Sequence, residues 1–145
     1  MKTLLTCLLA CWAVTHAAAA ELAWLTDLAK AQQKATAEKK MVMLDFTGSD
    51  WCGWCIKLNK EVFSTDEFAK YAKDNLVLVE VDFPQKKEQS AAQKKANQEL
   101  EKKFKVEGYP TIIVLNAEGK KIGELGYQPG GPGPFIAQLE KLKKK

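Results

Sequence analysis

The sequence predicts an α/β protein, a three-layer α/β/α sandwich around a central mixed β-sheet. Three observations point there. The runs Met41–Phe46, Leu76–Val81 and Thr111–Leu115 are strand-length and apolar at nearly every position, as strands covered on both faces are. Helical patterns separate these runs, which calls for parallel pairing through right-handed crossovers. After the third run, the turn Asn116-Ala117-Glu118-Gly119 leads into a lysine-bearing, edge-like strand over Lys120–Gly126, and this hairpin makes the sheet mixed.

In chain order, residues 1–20 read as a secretory signal peptide. Lys2 supplies the charge, Thr3–Val14 the apolar run, and Ala17–Ala20 the small residues of a cleavage site. The run is too short for a good membrane span. The alternative is a lipoprotein anchored through Cys11, because Leu8-Leu9-Ala10-Cys11 resembles a lipobox. The expectation is therefore a periplasmic or secreted protein. Residues 21–145 then form one domain, long enough for a real core and too short for two.

Glu21 to about Lys39 reads as a helix with Leu22, Leu25, Leu28 and Ala29 on one side. Met41–Phe46 is the first core strand. A helix follows Cys55, with Ile56, Leu58 and Val62 as its apolar positions. Ser64-Thr65-Asp66-Glu67 has the capping-box pattern with Ser64 as cap, and Phe68, Tyr71 and Ala72 form the next inner face. Gln85 to Phe104 is polar and lysine-rich, yet Ala92, Ala96, Leu100 and Phe104 recur every fourth residue, the stripe of a long helix. Its lysines alternate with Gln and Glu, which describes a solvated face and not a partner or membrane surface. Gln128–Gly133 reads as an irregular loop, and Phe135, Ile136, Leu139 and Leu142 as a final amphipathic helix. No internal repeat is present.

With residues 1–20 removed, the chain keeps two cysteines, Cys52 and Cys55, and no histidine; arginine is absent throughout. These absences exclude Cys-His and Ser-His-Asp nucleophiles and histidine-ligated zinc. Two cysteines cannot fill a four-ligand metal site within one chain, so no metal and no resident cofactor is called for. The net charge of +4 is dispersed among acidic residues, which argues against nucleic-acid binding. Dithiol–disulfide chemistry remains, in a compartment where disulfides persist. The first cysteine of Trp51-Cys52-Gly53-Trp54-Cys55 falls where a strand ends and a helix begins. There, free backbone N–H groups and the helix dipole favour a thiolate. Residues three apart on a helix share a side, so the two sulfurs are placed to close a bridge.

Two separated elements carry a family resemblance across the whole of 21–145: Asp45-Phe46-Thr47-Gly48-Ser49-Asp50-Trp51-Cys52-x-x-Cys55 after the first core strand, and Tyr109-Pro110-Thr111 before the third. The chain resembles the thioredoxin-fold superfamily, and within it the exported bacterial thioredoxin-like, thiol:disulfide interchange proteins. That resemblance implies the thioredoxin fold and a thiol–disulfide oxidoreductase with a Cys52–Cys55 redox pair. It implies Cys52 as nucleophile, Cys55 as the more buried resolving cysteine, and Pro110 as a cis-proline that presents backbone of Tyr109 to a substrate strand, with Thr111 beside it.

By the same resemblance Asp45 assists proton transfer to Cys55, although it lies seven residues before Cys52, one more than in thioredoxins. The other reading of Asp45 is a strand-end acid satisfied by local N–H groups. Ser49 and Asp50 read as loop formers. Trp51 and Trp54 read either as an apolar docking surface around the sulfurs or as packing, and Gly53 lets a partner backbone approach. Gly53-Trp54 differs both from the Gly-Pro of thioredoxins and from the histidine-containing pairs of strong oxidants. A reducing or isomerising direction is therefore expected, with protein thiols and disulfides as partners, a membrane or soluble thiol electron donor, and a monomeric state. The reading from another class is a peptide-binding or chaperone-like module that does not need redox turnover.

Overall fold

The computed structural model describes residues 21–144. The predicted signal peptide and Cys11 lie outside the described residues. The strands are β1 (Trp24–Leu25), β2 (Met41–Thr47), β3 (Leu76–Asp82), β4 (Thr111–Leu115) and β5 (Lys121–Leu125), and they lie in the order β1-β3-β2-β4-β5. The helices are α1 (Leu28–Glu38), α2 (Gly53–Leu58), α3 (Asp66–Asn75), α4 (Ala91–Phe104) and α5 (Pro132–Lys143). β1 and β2 both run parallel to β3; β4 runs antiparallel to β2 and to β5. This is the predicted α/β sandwich around a mixed sheet, except that the strand after α4 does not continue the parallel pairing expected of helix-separated strands: β4 runs antiparallel to β2.

β2 is buried along its whole length, because β3 and β4 flank it and helices cover both its faces. On one face Met41, Met43, Leu76, Leu78, Ile112 and Val114 pack against α2, α3 and α5 through Leu58, Phe68, Phe135 and Leu139. On the other, Val42, Leu44, Phe46, Val77, Val79 and Ile113 meet Ala31 and Ala35 of α1, with Leu100 and Phe104 of α4 alongside. Truncating a residue as enclosed as Phe68 costs about 3–5 kcal/mol.

Several boundaries differ from the sequence expectation. The helix expected from Glu21 begins only at Leu28, capped by Asp27, whose carboxylate accepts the N–H groups of Ala29 and Lys30. Trp24 and Leu25 instead pair with Leu78 and Val79, covering the outer edge of β3. The contact residues of α1 are therefore Ala31 and Ala35, small enough to bring the helix close to the sheet, while Ala29 is exposed. The cap of α3 is Thr65, not Ser64, and its hydroxyl accepts the Phe68 N–H.

In α4 only Leu100 and Phe104 of the alanine stripe reach the core; Ala92 and Ala96 are exposed, and the buried residue is Asn97, whose amide donates to the Asp82 carbonyl. Pro132-Gly133-Pro134, assigned in part to a loop, forms the first turn of α5, where a missing proline N–H costs nothing. Ile56 points to solvent instead of the core, 49% exposed. The reason is helical spacing: Cys55 and Leu58 take the inward side of α2, and Ile56, two residues from Leu58 at about 3.6 residues per turn, falls on the other. Asn59–Phe63 then forms a π-turn in which Val62 and Phe63 are both buried.

Candidate active site

β2 ends at Thr47, and the loop Gly48–Trp51 delivers the chain to Cys52, which is the N-cap of α2. Its backbone is extended, and its Sγ accepts the Cys55 N–H at 3.3 Å. Cys52 and Cys55 are joined as a disulfide across a Cα–Cα distance of 5.2 Å. Both residues are buried, at 7% and 4% exposure, so the asymmetry expected between them is slight in the oxidised state. It lies in position instead: Cys52 precedes the helix and Cys55 sits inside its first turn.

The loop before Cys52 is tied down at each residue. Ser49 donates its N–H and hydroxyl to the Asp82 carboxylate, at 2.9 and 2.5 Å. The Asp50 carboxylate accepts the backbone N–H groups of Gln85, Lys86 and Lys87 at 2.8–2.9 Å, and these bonds hold its pKa below the usual carboxylate range. Trp51 donates its indole N–H to the Phe83 carbonyl at 2.8 Å. Ser49 and Asp50 are thus more than loop formers, since they clasp the segment after β3 to the segment before Cys52. That clasp was not visible in the sequence, because its partners, the Asp82 carboxylate and three backbone N–H groups, lie more than thirty residues away.

Aromatic rings frame the disulfide on two sides. Trp51 meets Tyr109 edge-on at 6.1 Å, and Phe83 stacks on the other side of that system, 5.1 Å from Tyr109. The Tyr109 hydroxyl donates to Glu101, and the Tyr109–Pro110 peptide is cis, as the resemblance implied. On the opposite side Trp54, 58% exposed, tilts over Tyr127 at 5.1 Å, and the Lys57 ammonium sits 5.3 Å from both rings. Between the two groups runs an open apolar groove of about 530 Å³ lined by Trp54, Lys57, Tyr109, Pro110, Tyr127 and Pro129. Thr111 opens β4, but its hydroxyl is committed to the Gly108 carbonyl at 2.7 Å. A Cβ at Gly53 would meet open space.

Phe83, Tyr127 and Lys57 were not singled out in the sequence. Lys57 lies on α2 two residues after Cys55, whereas Phe83 and Tyr127 come from distant segments that only the tertiary fold brings to this face.

Asp45 lies behind the disulfide. It is 8% exposed, and its Oδ1 has no hydrogen-bond partner, so local N–H groups do not satisfy it. Burial first, and then the charges of Glu80 and Asp82, push its pKa up to about 8. Glu80 did carry a sequence signal, as the lone charge inside the apolar run Leu76–Val81.

A family model described as a thioredoxin-like domain matches residues 28–143. The disulfide bond reductase DsbH of Chlamydia pneumoniae is 40% identical over 127 residues, spanning 88% of this chain and 76% of that protein. The thioredoxin-related protein DsbJ of the same organism is 33% identical over 105 residues, which are 72% of this chain and 30% of that protein. The solved structure of a DsbH oxidoreductase superposes with a TM-score of 0.83 at 38% identity, covering 93% of both chains. A thioredoxin from Thermus thermophilus superposes with a TM-score of 0.61 over 84% of this chain and 87% of that one; at 22% identity the likeness is one of fold. The chain belongs to the thioredoxin-like family and is a thiol–disulfide oxidoreductase of the Dsb type.

Proposed function

We propose that this chain is an exported reductase of protein disulfides, with Cys52 as nucleophile and Cys55 as resolving cysteine. The observation that carries the reading is the Cys52–Cys55 disulfide at the start of α2, beside a groove floored by a cis-proline. The Cys52 thiolate attacks a substrate disulfide, and one substrate sulfur leaves as thiolate. Cys55 then gives up its proton, attacks Cys52 Sγ, and expels the second substrate thiolate. The substrate gains two electrons, and the protein is left as the Cys52–Cys55 disulfide.

Cys52 is activated by its position. The N–H of Cys55, in the first turn of α2, donates to its sulfur, and such a group at a helix N-terminus stabilises a thiolate. Asp45 is the base for Cys55. A carboxyl held near pH 8 is better matched to a thiol than one at its ordinary value, so the proton moves with little uphill cost. Trp51, Gly53, Trp54, Tyr109, Pro110 and Thr111 form the substrate surface, where an extended peptide lies in the groove against the Tyr109 backbone.

The reducing direction draws support from the likeness to a disulfide bond reductase and from the absence of histidine between the cysteines. Export follows from the signal-like residues 1–20. A reductase in an oxidising compartment requires a thiol electron donor, in the membrane or in solution; the chain acts as a monomer.

Trapping tests the assignment of the two cysteines. Cys55→Ser leaves a nucleophile without its resolver and should accumulate mixed disulfides with client proteins, whereas Cys52→Ser should accumulate none. The reverse pattern would contradict the assignment.

A further inference from the structure

Behind α2 lies a second cleft, of about 270 Å³, lined among others by Asp45, Cys55, Asn59 and Glu80. It brings two carboxyls to one of the two redox sulfurs. Asp45 and Glu80 are register partners on the adjacent parallel strands β2 and β3, and both face this cleft. Asp45 is the inner carboxyl, with its Oδ1 buried and unpartnered. Glu80 is the more exposed of the two.

We propose that Glu80 is the outer member of a two-carboxyl proton relay, passing to solvent the proton that Asp45 takes from Cys55 as the Cys52–Cys55 bond closes. This rests on the oxidoreductase reading, with Asp45 as base. Burial already favours the protonated form of each carboxyl, and the negative charge of Glu80 strengthens this at Asp45, so the pair does not readily ionise twice.

The surroundings of the pair favour this sharing. Asp82, further along β3, adds negative charge but is engaged by Ser49. Lys87, from the segment after β3, is a cation that acts on Glu80 and partly offsets the effects of burial and Asp82. The elements packed on the cleft contribute Cys55 from α2, Asn59 and Phe63 from the π-turn, and Trp24 from β1, none of them charged. No lysine is among the residues that line the cleft.

In the resolving step the Cys55 S–H bond breaks and its proton goes to the Asp45 carboxylate. The Cys55 sulfur bonds to Cys52 Sγ, and the bond from Cys52 to the substrate sulfur breaks with its electron pair leaving on the substrate thiolate. Asp45 then hands its proton to Glu80, and Glu80 to water. When a thiol donor reduces the disulfide, each transfer reverses, and Asp45 reprotonates the departing Cys55 sulfur. Glu80 therefore acts through Asp45 and not on the sulfurs.

The test uses Glu80→Gln, an isosteric change, beside the wild type. The Asp45 carboxyl is titrated by carbon NMR in the disulfide form, and the oxidation of the dithiol by a disulfide peptide is followed by stopped-flow fluorescence against pH. Removing the outer charge should lower the Asp45 midpoint by roughly one pH unit. The pH at which the resolving rate is half-maximal should fall with it, and the plateau rate should drop several-fold.

An unchanged Asp45 midpoint would overturn the proposal. So would a midpoint that moves while the rate profile stays put, because Glu80 would then be a neighbour and no relay. Failure of the underlying reading looks different. A protein with no exchange, or an Asp45→Asn variant with the wild-type rate profile, would remove the base assignment, while the Asp45 midpoint in the disulfide form would still report its coupling to Glu80.

Discussion

The indole N–H of Trp51 donates to the Phe83 carbonyl at 2.8 Å, joining the residue before the redox pair to the segment that leaves β3. The ring that makes this bond also lies against Gly48. A Cβ built at Gly48 would stand 2.5 Å from the Trp51 ring, closer than two carbons tolerate.

Gly48→Ala should therefore displace Trp51, break its bond to Phe83 and loosen the loop that presents Cys52. The expected loss is about 1–3 kcal/mol of stability, together with a several-fold fall in exchange rate. Denaturant unfolding of the oxidised protein and a disulfide-reduction assay check both halves. A variant with wild-type values would mean that the ring has room to move.

Asp45 gives a pH dependence whose sign is fixed by its environment. Its folded pKa, about 8, lies above the ordinary value of 3.8, so folding favours the protonated carboxyl. Its effect on stability is most favourable below about pH 4, is lost as pH rises toward 8, and levels off beyond. Asp45→Asn removes that decline, and the variant should be more stable than the wild type at pH 8, by on the order of a few kcal/mol. Thermal unfolding of both disulfide forms at pH 4 and pH 8 measures it. A variant no more stable than the wild type at pH 8 would contradict the origin assigned to the shift.

Trp54 occupies the position before the resolving cysteine. Trp54→His places an imidazole beside the Cys52 thiolate, stabilises the reduced form, and should make the pair more oxidising. A tenfold shift in the exchange equilibrium corresponds to about 30 mV, and a change of at least that size is expected in a glutathione titration. A potential that stays constant or falls would show that the backbone around Cys52 governs the thiolate and the intervening pair does not.

Much of the fold was legible because β2, β3 and β4 are apolar at nearly every position, a pattern that only a covered central strand supports. The redox pair was legible for a similar reason: a strand ends and a helix begins around two cysteines, and Tyr109-Pro110-Thr111 marks the neighbouring strand. What escaped was tertiary. β1 is two residues long and exists only because the edge of β3 is there to pair with. Ile56 faces outward because Cys55 and Leu58 hold the inward side of α2, which only the docking of that helix decides. The partners of Asp50 are three backbone N–H groups with no side-chain identity to read. The Phe83–Tyr109 stack and the Trp54–Tyr127 pair join distant segments whose meeting no local pattern announces.

The most direct test of the central claim is the equilibrium potential of the Cys52–Cys55 pair against glutathione. Trp51 and Trp54 flank the sulfurs and report the change by fluorescence. A reductase should give a value near that of thioredoxin, about −270 mV, whereas a value near about −120 mV would mark a disulfide donor and contradict the account.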